Sequence, residues 1–308
     1  MKAFVMEAYY PAGGTYMAYH LGRILQERFG YQAVAVGRAR SEAMMFEYPL
    51  DMPVVSSEQM CGEITPQDVF ICNPSFSEAL YGLRLPGRKI SYVQNVRTFR
   101  VLDVFFDHYV FVSDWVRRFV VDYYGIDGPV IPAFIHGNIF RDAKSWSERN
   151  RSVTLSARKH ESLGFQRLRE VYHATFPGDD ISFNIVPVTS QTELAAQMAS
   201  SRYYLSLDVM EGFGLPMLEA MSCGCTVVGW DSGGCREFAS PGENCLLARY
   251  GDFEALARHL HTALHDDHVA CALADRARSG ASGFGQDAFD RAWSQWFALI
   301  MPGRPAAR

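Results

Sequence analysis

The chain has 308 residues, a formal net charge of −5, 48% hydrophobic residues and 20% charged residues. That composition is that of an ordinary soluble globular protein, long enough for two domains of about 100–150 residues each. The acidic balance gives no electrostatic footprint for nucleic acid, and no run reaches the roughly 18 apolar residues that span a bilayer.

Residues 2–8 form a short apolar run that fits a buried strand. Glu7 interrupts the run and no cleavage site follows, so it reads as a strand and not as a signal peptide. A glycine-containing loop occupies residues 10–15. Met17, Leu21, Ile24, Leu25 and Phe29 then recur at helical spacing, with Thr15 as the candidate N-cap. Gly30 closes that helix and residues 31–36 read as the next strand. This strand–loop–helix–strand order begins a parallel sheet. Further strands are predicted at 69–72, 89–93 and 109–113, and a helix at 114–124.

Residues 125–139 carry Gly125, Gly128, Pro129, Pro132 and Gly137, the breaker density of a linker. A second alternating series follows. Strands are predicted at 152–156, 181–186, 203–207 and 226–230, and helices at 165–176, 192–199 and 252–265. The tail from 286 to 301 is amphipathic, with Phe289, Trp293, Trp296, Phe297 and Ile300. The pattern implies an α/β chain of two Rossmann-like domains facing a cleft, with ligands outside the carboxyl ends of the strands. Seven cysteines without framework spacing suit a reducing cytosol, and all are expected to be structural.

The most informative stretch runs from Glu211 to Glu237, E-G-F-G-L-P-M-L-E-A-M-S-C-G-C-T-V-V-G-W-D-S-G-G-C-R-E. Gly212 and Gly214 let a backbone approach a ligand closely. Pro216 suits the first turn of a helix, which puts Glu211 in the preceding loop and Glu219 about one turn inside. The N–H groups of Phe213, Gly214 and Leu215 would then attract an anion, typically phosphate. Carboxylates beside a phosphate site suit the gripping of hydroxyl groups. Phosphate plus hydroxyls points to a nucleotide sugar.

Several alternatives fail on the sequence. There is no G-x-G-x-x-G, no G-K-[ST] phosphate loop, no H-E-x-x-H and no G-x-S-x-G. No D-x-D pair is present to hold a divalent ion, so no metal is expected in the reaction. His261 and His265 are four apart, with His259, His268, Asp266 and Asp267 close by. They are able to share a helix face as ligands, but a solvated polar helix end is the expectation.

The 211–237 segment resembles the family 4 retaining glycosyltransferases, whose hallmark is E-x7-E within E-G-F-G-L-P-x-L-E-A-M-A-x-G. The stretch Val227 to Glu237, V-V-G-W-D-S-G-G-C-R-E, is similar to the family's V-V-x-x-D-x-G-G-x-x-E. Pro241 to Leu247, P-G-E-N-C-L-L, is similar to its D-G-x-N-G-L-L. Weaker similarities lie at Pro11-Ala-Gly-Gly, at Val112-Ser-Asp-Trp, and at Val130-Ile-Pro-Ala-Phe-Ile-His, where Ala133 and His136 replace the family's Asn and Asp. Ser156-Ala-Arg-Lys-His stands where the family has G-R-L-x-x-x-K-G. Arg158 matches the arginine, Leu163 occupies the lysine position, and Lys159 is an adjacent substitute.

The resemblance implies the GT-B fold, two Rossmann-like domains facing a central cleft with a C-terminal helix crossing back to the first. It divides the chain into an N-terminal acceptor-side domain (1–132), a C-terminal donor-binding domain (133–285) and the crossing helix (286–302). The implied activity is retaining, metal-independent transfer of a hexose-type sugar from a nucleoside-diphosphate sugar to a hydroxyl acceptor. The acceptor would be a surface polysaccharide, a lipid-linked glycan or a small natural product. No cofactor is implied.

Glu211, Arg158 and Lys159 are the catalytic candidates. Gly13, Gly14, Gln94, Asn95, Gly212, Phe213, Gly214, Leu215, Glu219 and Glu237 are the donor-binding ones. Within those roles Glu211 holds sugar hydroxyls, Glu219 holds the ribose, and Arg158 and Lys159 receive the charge of the leaving diphosphate. The expected location is cytoplasmic, with peripheral contact at the inner face of a membrane left open. Two other readings stand beside this one: a GT-B nucleotide-sugar epimerase, and a non-catalytic sugar-nucleotide-binding subunit.

Overall fold

The structure is a computed structural model that describes residues 1–41, 46–76, 80–97, 101–141, 144–156, 162–187 and 190–301. The chain splits into two units, Met1–Phe134 with Asp287–Arg308, and Ile135–Gln286.

The first unit runs β1 (Lys2–Met6), α1 (Gly13–Phe29), β2 (Gln32–Val36), β3 (Val54–Val55), α2 (Ser57–Glu63), β4 (Val69–Cys72), α3 (Tyr81–Arg84), β5 (Arg88–Val93), β6 (His108–Phe111) and α4 (Asp114–Tyr124). Its sheet has the order β3-β2-β1-β4-β5-β6 with every pair parallel. Phe4 on β1 faces Val34 of β2 and Phe70 of β4 in register. Helices cover both faces of such a sheet, which is why its strands read as continuous apolar runs. Ala3, Phe4 and Val5 are fully buried. The chain passes from β1 outward to β2 and β3, then returns to β4 on the other side. The topological switch point therefore lies between β1 and β4.

The expected N-cap of α1 is corrected. The helix takes Gly13 and Gly14 into its first turn and Ala12 stands at the cap. The Thr15 hydroxyl turns back instead, donating to the carbonyls of Tyr10 (2.6 Å) and Ala12 (2.9 Å). Gly30 ends α1 in the left-handed region, φ 70°, its N–H reaching the Leu25 carbonyl.

The second unit runs β7 (Asn150–Ser156), α5 (Leu163–Thr175), β8 (Phe183–Val186), α6 (Gln191–Ala199), β9 (Ser201–Ser206), α7 (Leu215–Ser222), β10 (Thr226–Trp230), β11 (Leu246–Ala248), α8 (Phe253–His265) and α9 (Asp267–Ala281). The sheet order is β11-β10-β9-β7-β8, again all parallel. Its switch point lies between β7 and β9, where the chain leaves one edge of the sheet and begins to build the other. The core joins Val153, Leu155, Tyr203, Leu205, Val228 and Trp230 of the strands to Phe165, Leu168, Leu256 and Leu260 of α5 and α8.

The last helix, α10 (Gln286–Ile300), belongs to the first unit. Trp293 packs edge-on to Tyr92 and Phe297 against Phe29. Asp290 is buried on the same face and accepts two 2.6 Å bonds from Arg23 of α1. Its charge is hidden because the guanidinium matches it. No described helix is long and apolar enough to cross a membrane. All seven cysteines are free thiols, and Cys72, Cys223, Cys225, Cys235 and Cys245 are buried.

Candidate active site

The carboxyl end of β9 leads straight into the Glu211 segment, at the switch point of the second sheet. Met210 is forced to φ 52°, a left-handed conformation that a non-glycine residue adopts only where its surroundings impose it. Glu211 then forms a parallel bridge with Gly233, and its carbonyl accepts the N–H of Gly234 at 3.0 Å. A methyl group at Gly234 would collide with the carbonyls of Glu211 and Gly212. The glycine pair after β10 is thus what lets two carboxyl-edge loops lie backbone to backbone.

Gly214 stands at the N-cap of α7 with φ 93°, and Pro216 follows in the first turn. The Gly214 carbonyl accepts from Met217 and Leu218. Among the described residues, the N–H groups of Phe213, Gly214 and Leu215 donate to no carbonyl. They stand at the positive end of a helix dipole, the kind of position that favours an anion. The Phe213 ring is buried against Phe238 and Phe284, so this residue offers its backbone rather than its side chain. At the other end of α7 the buried Arg149 donates to the carbonyls of Cys223 (2.8 Å) and Gly224 (3.0 Å). That charge complements the negative end of the helix.

Glu219 lies one turn inside α7 and is 8% exposed. Burial raises its carboxyl to about 8, because the charged form loses hydration. Glu211 and Glu237 are both half-buried, Glu237 closing the short 3₁₀ turn Gly234–Glu237. Glu211, Gly212, Phe213, Gly214, Leu215, Glu219 and Glu237 thus gather at the carboxyl ends of β9 and β10. Arg158 and Lys159 follow β7 in the sequence and lie outside the described residues.

In the first unit, Gly13 and Gly14 open α1 at the carboxyl end of β1, beside the other switch point. Gln94, just after β5, donates through Nε2 to the Gly14 carbonyl at 2.9 Å. A methyl at Gly14 would strike the Gln94 carboxamide. Gly14 and Gln94 are therefore direct neighbours. Asn95 is turned to a local task, its Oδ1 accepting the Arg97 N–H at 2.9 Å.

Sequence reasoning missed Asn73. It is buried directly after β4, and its Nδ2 donates to Gln94 Oε1 at 3.1 Å. The signal available was its place as the first polar residue after an apolar strand. Glu7, read only as an interruption, stands at φ 55° directly after β1 with its carboxylate against Gly37. Its Oε2 is buried and unpartnered among the described residues.

This geometry can be set beside known proteins. Residues 164–266 match the family model for Glycosyl transferases group 1. That segment contains the whole Glu211–Glu237 stretch. The chain is 34% identical over 88 residues to N-acetyl-alpha-D-glucosaminyl L-malate synthase of Bacillus anthracis, covering 29% of this chain and 23% of that protein. It is 31% identical over 88 residues to a Campylobacter jejuni N-acetylgalactosaminyltransferase whose name specifies a diphospho-undecaprenol substrate, covering 28% and 24%. The matches thus span about a quarter of each of these relatives. Across the whole chain, the Anabaena protein HepE, solved with UDP and glucose, superimposes with a TM-score of 0.73 at 15% identity, covering 97% of this chain and 100% of that one.

The fold is GT-B.

Proposed function

We propose that this chain is a retaining glycosyltransferase that moves a hexose-type sugar from a nucleoside-diphosphate sugar to a hydroxyl acceptor. The observation that carries the proposal is the Glu211–Glu219 segment at the switch point of the second sheet. It presents N–H donors that meet no carbonyl among the described residues, a half-buried carboxylate and a buried carboxyl group within a single loop and helix turn. The match of residues 164–266 to the group 1 glycosyl transferases supports it.

In this reading the N–H groups of Gly214 and Leu215 face the diphosphate. Arg158 and Lys159 supply the cationic charge that a divalent ion supplies elsewhere. Such fixed charge acts most strongly where negative charge develops as the sugar–phosphate bond breaks. Glu211 accepts from hydroxyls of the departing sugar, and Glu219 accepts from the ribose. The bond between anomeric carbon and phosphate oxygen breaks with its electron pair going to the phosphate. The acceptor oxygen bonds to the same face of that carbon, and its proton passes to the leaving phosphate oxygen. No enzyme base is then required.

A uridine nucleotide is the first donor class to try, because HepE was solved with UDP and glucose. A lipid-linked acceptor is favoured by the name of the Campylobacter relative. Thermal-shift measurement with UDP, GDP, ADP and their sugars, in the presence of a chelator, tests the proposal. A ligand that binds the folded state raises the apparent stability, by about 2.7 kcal/mol at a hundredfold excess over Kd. Folded protein that responds to none of these nucleotides sinks it.

A further inference from the structure

His261 and His265 lie one turn apart on the same face of α8, their rings stacked at 4.3 Å. The segment between α5 and β8 brings Asp179 to them. His265 Nε2 is 2.7 Å from Asp179 Oδ2, and His261 Nε2 is 3.8 Å from the same oxygen. One ligand atom from each residue falls within 4.8 Å of the others. The third group is what the sequence did not show, since Asp179 is 82 residues before His261.

The geometry points to a site for a divalent transition-metal ion, with zinc as its occupant, held by Asp179, His261 and His265. Four features support it. A His–Asp pair needs only one imidazole, yet here two face the same carboxylate oxygen. Both rings lie within reach of a single ion, which each would bind through a ring nitrogen. Ligands at about 2.0–2.1 Å in a tetrahedron stand about 3.4 Å apart, so the three groups need to shift by only about an ångström. The outer shell is also in place. The Tyr172 hydroxyl donates to Asp179 Oδ2 at 2.5 Å, and His261 stacks on Phe176 at 3.9 Å.

A set of two nitrogens and one oxygen suits zinc and its late first-row neighbours, and not the oxygen-seeking calcium or magnesium. The His265 side chain is 50% exposed, which leaves a water-accessible fourth position.

The site's place in the fold says what it does. Asp179 precedes the start of β8, and His265 ends α8, so the cluster sits at the amino edge of the second sheet. The Glu211 segment is at the carboxyl edge. The ion would therefore clamp the segment between α5 and β8 to α8 and take no part in sugar transfer.

The test is calorimetric titration of zinc into the chelator-treated, desalted full chain, with cobalt(II) spectra on the same sample. The expected result is one zinc per chain, tetrahedral cobalt bands, and a melting temperature raised by about 5 °C at a hundredfold excess over Kd. His261→Ala and His265→Ala should each weaken binding at least tenfold, while His268→Ala, on the exposed segment beyond, leaves it unchanged. Absence of zinc binding at millimolar concentration overturns the proposal. So do octahedral cobalt bands, or equal affinity in wild type and both histidine variants. The wild-type spectrum decides the matter even if a variant fails to fold.

Discussion

Glu219→Gln probes the tension built into α7. The wild-type carboxyl, 8% exposed, holds its proton up to about pH 8, against an ordinary value of 4.5. The unfolded chain releases that proton near 4.5. The folded state therefore binds the extra proton between those values, and stability falls as pH rises through that window. At about 1.4 kcal/mol per pH unit the full span corresponds to about 5 kcal/mol. Local relaxation around a buried charge lowers this, so a loss of about 2–5 kcal/mol is expected. The contribution is fully present below about pH 4.5 and gone above about pH 8.

Glutamine has nearly the same shape and cannot ionise, so its variant lacks this slope. Urea denaturation of wild type and Glu219→Gln at intervals from pH 5 to pH 9 reads the difference directly. The gap in favour of the variant should widen with pH and level off near pH 8–9. If ribose hydroxyls donate to the carboxylate, a saturating nucleotide flattens the wild-type slope. Parallel stability curves across the whole range would refute the reasoning.

Asp290→Ala removes both bonds that Arg23 Nη2 makes to the buried carboxylate and leaves Arg23 with its half-exposed partner Glu27; a cost of about 1–3 kcal/mol is expected in urea denaturation, with Asp290→Glu recovering part of it. Gly234→Ala drives a methyl into the carbonyls of Glu211 and Gly212; nucleotide binding should weaken at least tenfold, while the circular dichroism spectrum stays that of an α/β protein. Gln94→Ala removes the bonds to Gly14 and Asn73; it should cost about 1–3 kcal/mol of stability by leaving the Nδ2 of buried Asn73 without its acceptor, and a melting temperature equal to wild type would contradict it.

Most of the fold was legible because parallel strands buried on two faces are dense apolar runs. Residues 69–72 and 226–230 matched the strands residue for residue, and 114–124 matched its helix, capped by Ser113. α9 was missed because its buried face is Ala270, Leu273, Ala274, Ala277 and Ala281, and alanine gives little contrast against a polar face. β3 and β11 are two and three residues long, too short to show a period. The α1 cap went wrong because two glycines look like a loop until Gln94 is seen to need the space at Gly14. In the site, Glu211 and Glu219 were conspicuous because glycine and proline fix their local geometry. Asn73 and Asp179 act through partners about 20 and 80 residues away, and no local pattern carries that information.

Proton NMR of the anomeric region, recorded while the chain acts on each nucleotide sugar with a chelator present, tests the central proposal most directly. At least one donor should lose its anomeric signal, release nucleoside diphosphate and yield product of the same anomeric configuration. Glu211→Ala should abolish that turnover. An inverted product, or turnover unchanged in Glu211→Ala, would contradict the proposal.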